Sequence, residues 1–393
     1  MKNRSILKKQ LNISLIILIL IVTFLYTCGR IAPLKLPSVN NHLQKDAWLT
    51  AYKSNLRHNS LDSDVQPPYQ IVWDKKYRSV VTDHPLAIHN YIIMTLKNGN
   101  IAFFDIEEGQ MIGDGRIAPA FERSGTIENN IMYYGANLGR ETLIALDLNS
   151  FHKLWKTALP HIYTPPLIWD EKVYAGTNHG QLFCVDKLTG NKIWHFPAKA
   201  SIYSTLAESE GHIFFGDAAG NIYCIDGKNG ESRWIKTLAP NIYSGPVIAE
   251  NKIFIGTTAG IMYALDLNTG NIIWQINTGG SIYANAAYKE GIVYFGNNAH
   301  NLLAVDSHEG EILWQYQTNG IINSTPLIGN DYIYFGSWDK SLYTLIRKTG
   351  KKIYQHDFKS PIKSSPIIYR NRLYVHTAND HFYCLTSSNI NKK

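Results

Sequence analysis

A period of 40 residues runs through this chain with almost no slippage. Trp194, Trp234, Trp274 and Trp314 keep it, and so do Gly190, Gly230, Gly270, Gly310 and Gly350. A second glycine series, Gly176, Gly216, Gly256, Gly296 and Gly336, keeps the same step. Three positions locked to one period mark fixed places in a copied structural unit, so the chain must fold as a repeat array.

The unit itself reads as β. In the copy from Asn241 to Gly280, strands are expected over Ser244–Ala249, Lys252–Thr257, Ile261–Asp266 and Asn271–Asn277, separated by short turns. Charged residues are only 18% of the chain, while 24 Tyr and 29 Gly supply strand and turn residues, which argues against a helical array. In the third turn, Asp147, Asp186, Asp226, Asp266 and Asp306 suit an acceptor of backbone N–H groups, and the glycine four residues later suits a left-handed turn end. These carboxylates are therefore structural. The tryptophans in the fourth strand, Trp73, Trp155, Trp194, Trp234, Trp274 and Trp314, are expected to wedge against the next copy.

Eight second-strand starts are found, near Tyr91, Ile131, Lys172, His212, Lys252, Ile292, Tyr332 and Arg372. The eighth copy stops at Leu385 without a fourth strand, and Tyr69–Trp73 carries that missing pattern at the other end of the chain. The pattern predicts an all-β, eight-bladed β-propeller of four-stranded antiparallel blades, closed by an N-terminal strand that completes the last blade. A seven-bladed ring is the alternative, because the copies decay outward. Gly113 replaces the tryptophan of the first blade, Phe151 the turn glycine of the second, and Ile346 and Tyr354 the Asp and Trp of the seventh.

Residues 1–27 read as an export signal, with Lys2, Arg4, Lys8 and Lys9 ahead of an apolar run from Ile13 to Tyr26. The run ends Leu25-Tyr26-Thr27-Cys28-Gly29, which resembles a lipoprotein processing site with Cys28 as the lipidated residue; Thr27 departs from the usual small residue, and an uncleaved anchor is the alternative. The expected organisation is a signal over 1–27, a tether and leader over 28–67, the propeller over 68–386 and a tail over 387–393. Removing the signal takes four positive charges from the formal +7, too little left to argue for nucleic acid. Cys184, Cys224 and Cys384 share one repeat position with Ala264 and Ala304, which reads as a small packing site rather than a disulfide.

The run Ala264-Leu265-Asp266-Leu267-Asn268-Thr269-Gly270-Asn271-Ile272-Ile273-Trp274 resembles the tryptophan-docking motif of propellers related to pyrroloquinoline quinone (PQQ) dehydrogenases. It recurs at Ala304–Trp314 and Cys184–Trp194, and the resemblance spans about Trp48 to Leu385. Within that superfamily, an exported, lipidated chain with little beyond one propeller is similar to the scaffold lipoproteins of outer-membrane β-barrel assembly. That similarity implies an outer-membrane lipid anchor, a periplasmic propeller, and protein partners: the β-barrel assembly machinery and unfolded outer-membrane proteins. It implies no cofactor.

The enzymatic alternative, a quinoprotein dehydrogenase, would hold PQQ and a metal ion over the axis, and such enzymes commonly carry an adjacent cysteine pair. This chain has no adjacent cysteines and no nucleophile elbow, P-loop or zinc motif, so no catalytic or metal residue is assigned. The candidate partner-binding residues lie on the face of the fourth-to-first connections. Tyr163, Tyr203, Tyr243 and Tyr283 occupy one repeat position, continued by Asn323 and Lys363, with Trp338 in a turn on the same face. Pointing inward, they would ring the channel mouth; the alternative is packing between blades. Outer blade edges offer a second mode, pairing with an extended peptide. A ligand sensor or adhesin is the third class.

Overall fold

The computed structural model describes residues 47–77, 79 and 84–388; the signal and Cys28 lie outside them. Among the described residues, thirty-two strands form eight four-stranded antiparallel sheets, each in simple sequence order except the last. That last sheet joins Tyr69–Lys76 to the C-terminal strand His381–Ser387, with Trp73 opposite Cys384. The ring is thus eight-bladed and latched by its two ends.

The blade that begins at Val247 shows how the sequence sets its geometry. Its strands are Val247–Ala249, Lys252–Gly256, Ile261–Asp266 and Ile272–Asn277. The innermost strand starts three residues later than the alternation suggests. Ser244 turns its hydroxyl to its own blade, accepting from Gly256 N–H and donating to Gly256 C=O, and Pro246 has no N–H to give a ladder. Second and third strands are buried along almost their whole length, whereas fourth strands alternate.

The repeated Trp and Gly meet between blades. Each indole lies against the turn glycine of the next blade: a Cβ on Gly270 would sit 2.6 Å from the Trp234 ring, and one on Gly310 2.7 Å from that of Trp274. These glycines are needed twice, for φ near +70° and for the ring above them. The indole Nε1–H then donates to a carbonyl of the same turn, as Trp234 does to Leu267 at 3.2 Å and Trp274 to Ser307 at 3.1 Å. Inside its own blade the indole faces the small repeat position, with Trp194 opposite Cys184 and Trp274 opposite Ala264, beside a β-bulge. That pairing explains why Cys and Ala alternate there. The three cysteines are free and buried.

The seams follow the same logic. Trp73 docks onto Gly109 and donates to Ile106 C=O at 3.2 Å, so the eighth blade grips the first. Between the first and second blades both docking residues are replaced, and they compensate. Gly113 stands opposite Phe103 where other copies have the tryptophan, and Phe151, at φ +57° where other copies have glycine, meets Phe103 edge-on at 5.2 Å.

The leader does not follow the repeat. Residues 47–65 run inside the ring of innermost strands and bond to all eight blades. Trp48 pairs with Ala87 and sends its indole N–H to Ile368, Leu49 takes Ile127 N–H, and Asn55 takes Glu208 N–H while its amide donates to Ile168. Leu56, His58 and Asn59 then take Ile248, Tyr288 and Ile328. Innermost strands would otherwise leave unpaired backbone facing the channel, which is costly when buried. At the centre Arg57 is fully buried, donating from Nε to Leu206 C=O at 2.7 Å and from Nη1 to Ala51 C=O at 2.6 Å, Thr50 Oγ1 and Ser54 C=O.

Candidate functional site: a blind cup under a tyrosine rim

Because the leader fills one end of the channel, what remains is a cup of about 440 Å3 that opens on the other face. Tyr52 of the leader, Thr205, Asn285, Thr325 and Ser365 are among its lining residues.

The rim is built by a three-residue device repeated in the connections between blades. In Ile242-Tyr243-Ser244 the isoleucine packs on the preceding blade, within 2.2 Å of where a Cβ on Gly216 would stand, and the serine clamps its own blade through Gly256. The tyrosine between them has little freedom. Tyr163 meets Tyr203 edge-on at 5.4 Å, Tyr203 stacks on Tyr243 at 5.5 Å, and Tyr243 meets Tyr283 at 5.8 Å. Tyr243, Tyr283, Asn323 and Lys363 line the cup, whereas Tyr163 and Tyr203 continue the rim by ring contact. The tyrosines thus pack against one another and still present surface: Tyr283 is 42% exposed. Trp338, 37% exposed, lies beneath the Lys363 ammonium at 4.5 Å, a cation–π pair.

Among the lining residues that were not sequence candidates, three carry a cationic group or an imidazole. Lys97 and Arg123 come from the first blade's second turn and from the connection into the second blade. His376 stands where the repeat has Gly176, Gly216, Gly256, Gly296 and Gly336, and that interruption of the glycine series was its visible signal. Burial, then the nearby His381, pushes its imidazole pKa down to about 4.

This has a measurable consequence. A group whose folded pKa is depressed from 6.5 to about 4 supplies stability that is complete above pH 6.5 and is lost as pH falls toward 4, because the unfolded chain takes up the proton first. We expect the urea midpoint to decline across that window by up to about 3 kcal/mol in unfolding free energy. A His376→Gly variant should lose most of that slope. Below it a second decline is expected from the turn carboxylates. Thr269 hydroxyl and N–H hold Asp266 below its ordinary 3.8, so its contribution is present above that value and lost under it.

Outer strands carry a different surface. Ile193, Ile235, Ile272 and Ile312 are each more than 40% exposed on fourth strands, which form the blade edges.

The closed ring, the docked tryptophans and their spacing define a PQQ-like repeat propeller. The chain belongs to the family of the outer membrane protein assembly factor BamB, whose pattern it matches over residues 71–196, 184–340 and 317–392. Among solved structures, BamB from Moraxella catarrhalis superposes with a TM-score of 0.70 at 17% identity, covering 81% of this chain and 100% of that one. A europium-containing methanol dehydrogenase gives 0.73 at 12%, covering 88% and 100%, and the computationally designed Ika8 protein 0.68 at 15%, covering 79% and 97%. At such identities the likeness is one of fold. Comparison with curated proteins finds no match.

The dehydrogenase likeness raises the question of a metal-bound quinone. Among the described residues no Asp or Glu lines the cup, and no three His, Cys, Asp or Glu side chains converge as a metal site. The donors present do not fit that group.

Proposed function

We propose that this chain is a non-enzymatic scaffold lipoprotein of outer-membrane β-barrel assembly, tethered through Cys28 with its propeller in the periplasm, and that it engages protein partners through the tyrosine rim. The observation that carries this reading is the rim itself, four tyrosines in ring contact on a propeller of the BamB family. Rigid aromatic side chains give large contact area at small entropic cost, which suits protein recognition. Both the lack of carboxylates among the described residues of the cup and the absence of a nucleophile motif favour binding over catalysis.

A Tyr203→Ala, Tyr243→Ala double variant is expected to fold, since the Ile and Ser clamps remain, and to lose at least about tenfold of partner recovery in co-purification. Undiminished recovery by a folded double variant would remove the rim from the account. Protection of the apolar outer strands instead would favour pairing at the blade edges.

A further inference from the structure

The inside of the cup is one-sided in its chemistry. Lys97, Arg123 and Lys363 line it, and among the described residues no carboxylate does. Lys97 pairs with Glu122 outside the lining at 3.4 Å, and Lys363 rests on Trp338, so both charges are held in place near the opening.

Below them are polar atoms with no partner. Asn285 is 2% exposed; its Oδ1 accepts Gly245 N–H at 2.6 Å, which fixes the amide orientation and leaves Nδ2–H as an unsatisfied donor. Thr325 Oγ1 and His376 Nε2, on side chains 1% and 4% exposed, also lack partners, as does Asn323 Oδ1 at the rim. Buried donors are normally satisfied, and Asn285 Nδ2–H and the Thr325 hydroxyl lining one cavity point to a ligand that accepts from them.

We infer that the cup is a binding site for a carboxylate, presented on the end of a peptide chain or on a small organic acid. A carboxylate is acceptor-only and carries the charge that the lysines and arginine complement, while Asn285 Nδ2–H and the Thr325 hydroxyl supply neutral donors. The leader closes the far end, so a chain enters by its terminus and does not thread through. The tyrosine rim then covers the last side chain, which favours an aromatic terminal residue. The inference does not depend on the scaffold reading, because purified protein and defined probes suffice to test it.

The test is fluorescence polarisation with a labelled octapeptide ending in an aromatic residue, as the free acid and as the C-terminal amide, with citrate as competitor. Three variants accompany it. Lys363→Gln removes a rim charge. Asn285→Asp keeps the acceptor for Gly245 but turns the inward donor into an anion. His376→Gly restores the residue that six other blades carry, so folding should be retained, and a thermal melt of each variant checks this. The acid should bind, the amide at least about tenfold more weakly, and Asn285→Asp and Lys363→Gln should each weaken the acid by about tenfold or more. Binding of the acid with no displacement by citrate assigns the site to chain ends; displacement of the peptide by citrate, or a citrate-induced rise in melting temperature lost in Asn285→Asp, assigns it to carboxylates generally. Equal binding of acid and amide, or affinity for acid and citrate unchanged in folded Asn285→Asp and Lys363→Gln, would overturn the inference, as would no binding of either probe.

Discussion

Trp73→Ala is expected to cost about 3–5 kcal/mol of unfolding free energy, the range for deleting a large buried aromatic. Trp73 is 6% exposed, sits between Tyr374 at 5.8 Å and Phe382 at 5.5 Å, covers Gly109 and donates to Ile106. The same change at Trp234 removes a comparable contact between two blades that are consecutive in the chain. The two should therefore differ in kind. Loss at Trp234 loosens one joint of a ring that stays latched; loss at Trp73 loosens the latch, where covalent continuity does not help. Urea unfolding measures the energies, and hydrogen exchange localises them. Trp73→Ala should raise exchange along Tyr69–Lys76 and His381–Ser387 first, whereas Trp234→Ala should leave that sheet protected. Identical exchange patterns in the two variants would mean that the ends do not latch the ring.

The second large effect is expected at Arg57. Replacing it with Ala strips donors from Leu206 and Ala51 carbonyls and opens a hole on the axis, for which about 3–5 kcal/mol is a reasonable scale. Arg57→Lys should not rescue it, because a point ammonium cannot reach in the separate directions that Nε and Nη1 serve. The leader is the element that should leave. Limited proteolysis of Arg57→Ala should cut within residues 52–61 before the blades are touched, and the cup should lose its Tyr52 floor. A leader as protease-resistant as in the unaltered protein would show that its remaining bonds to the eight blades suffice without the guanidinium.

How much of this was legible beforehand depends on whether a residue repeats. Blade number, the closing strand and the Trp–Gly docking follow from a period of 40, because each copy reports the same contact and errors in one are corrected by the others. The seam residues were legible as departures, but their compensation was not: nothing in the sequence states that Phe151 meets Phe103. The leader has no period. It adopts positive φ at Tyr52, Lys53, Arg57 and Asn59, residues without a glycine signature, and its bonds to six of the blades run through backbone groups that every sequence has. The candidate site divides the same way. The tyrosine position stood out by recurrence, while Lys97 and Arg123 occur once and His376 only as a gap in a glycine series.

The proposed function has this propeller hold protein at its tyrosine rim. The most direct measurement is crosslinking capture of the native protein from membranes, beside the Tyr203→Ala, Tyr243→Ala variant, with captured proteins identified by mass spectrometry. Recovery of the outer-membrane barrel-assembly protein is expected with the native chain, and its loss with the variant. Productive capture that lacks that protein, or that is the same for both chains, would rule out the rim as the site that holds it.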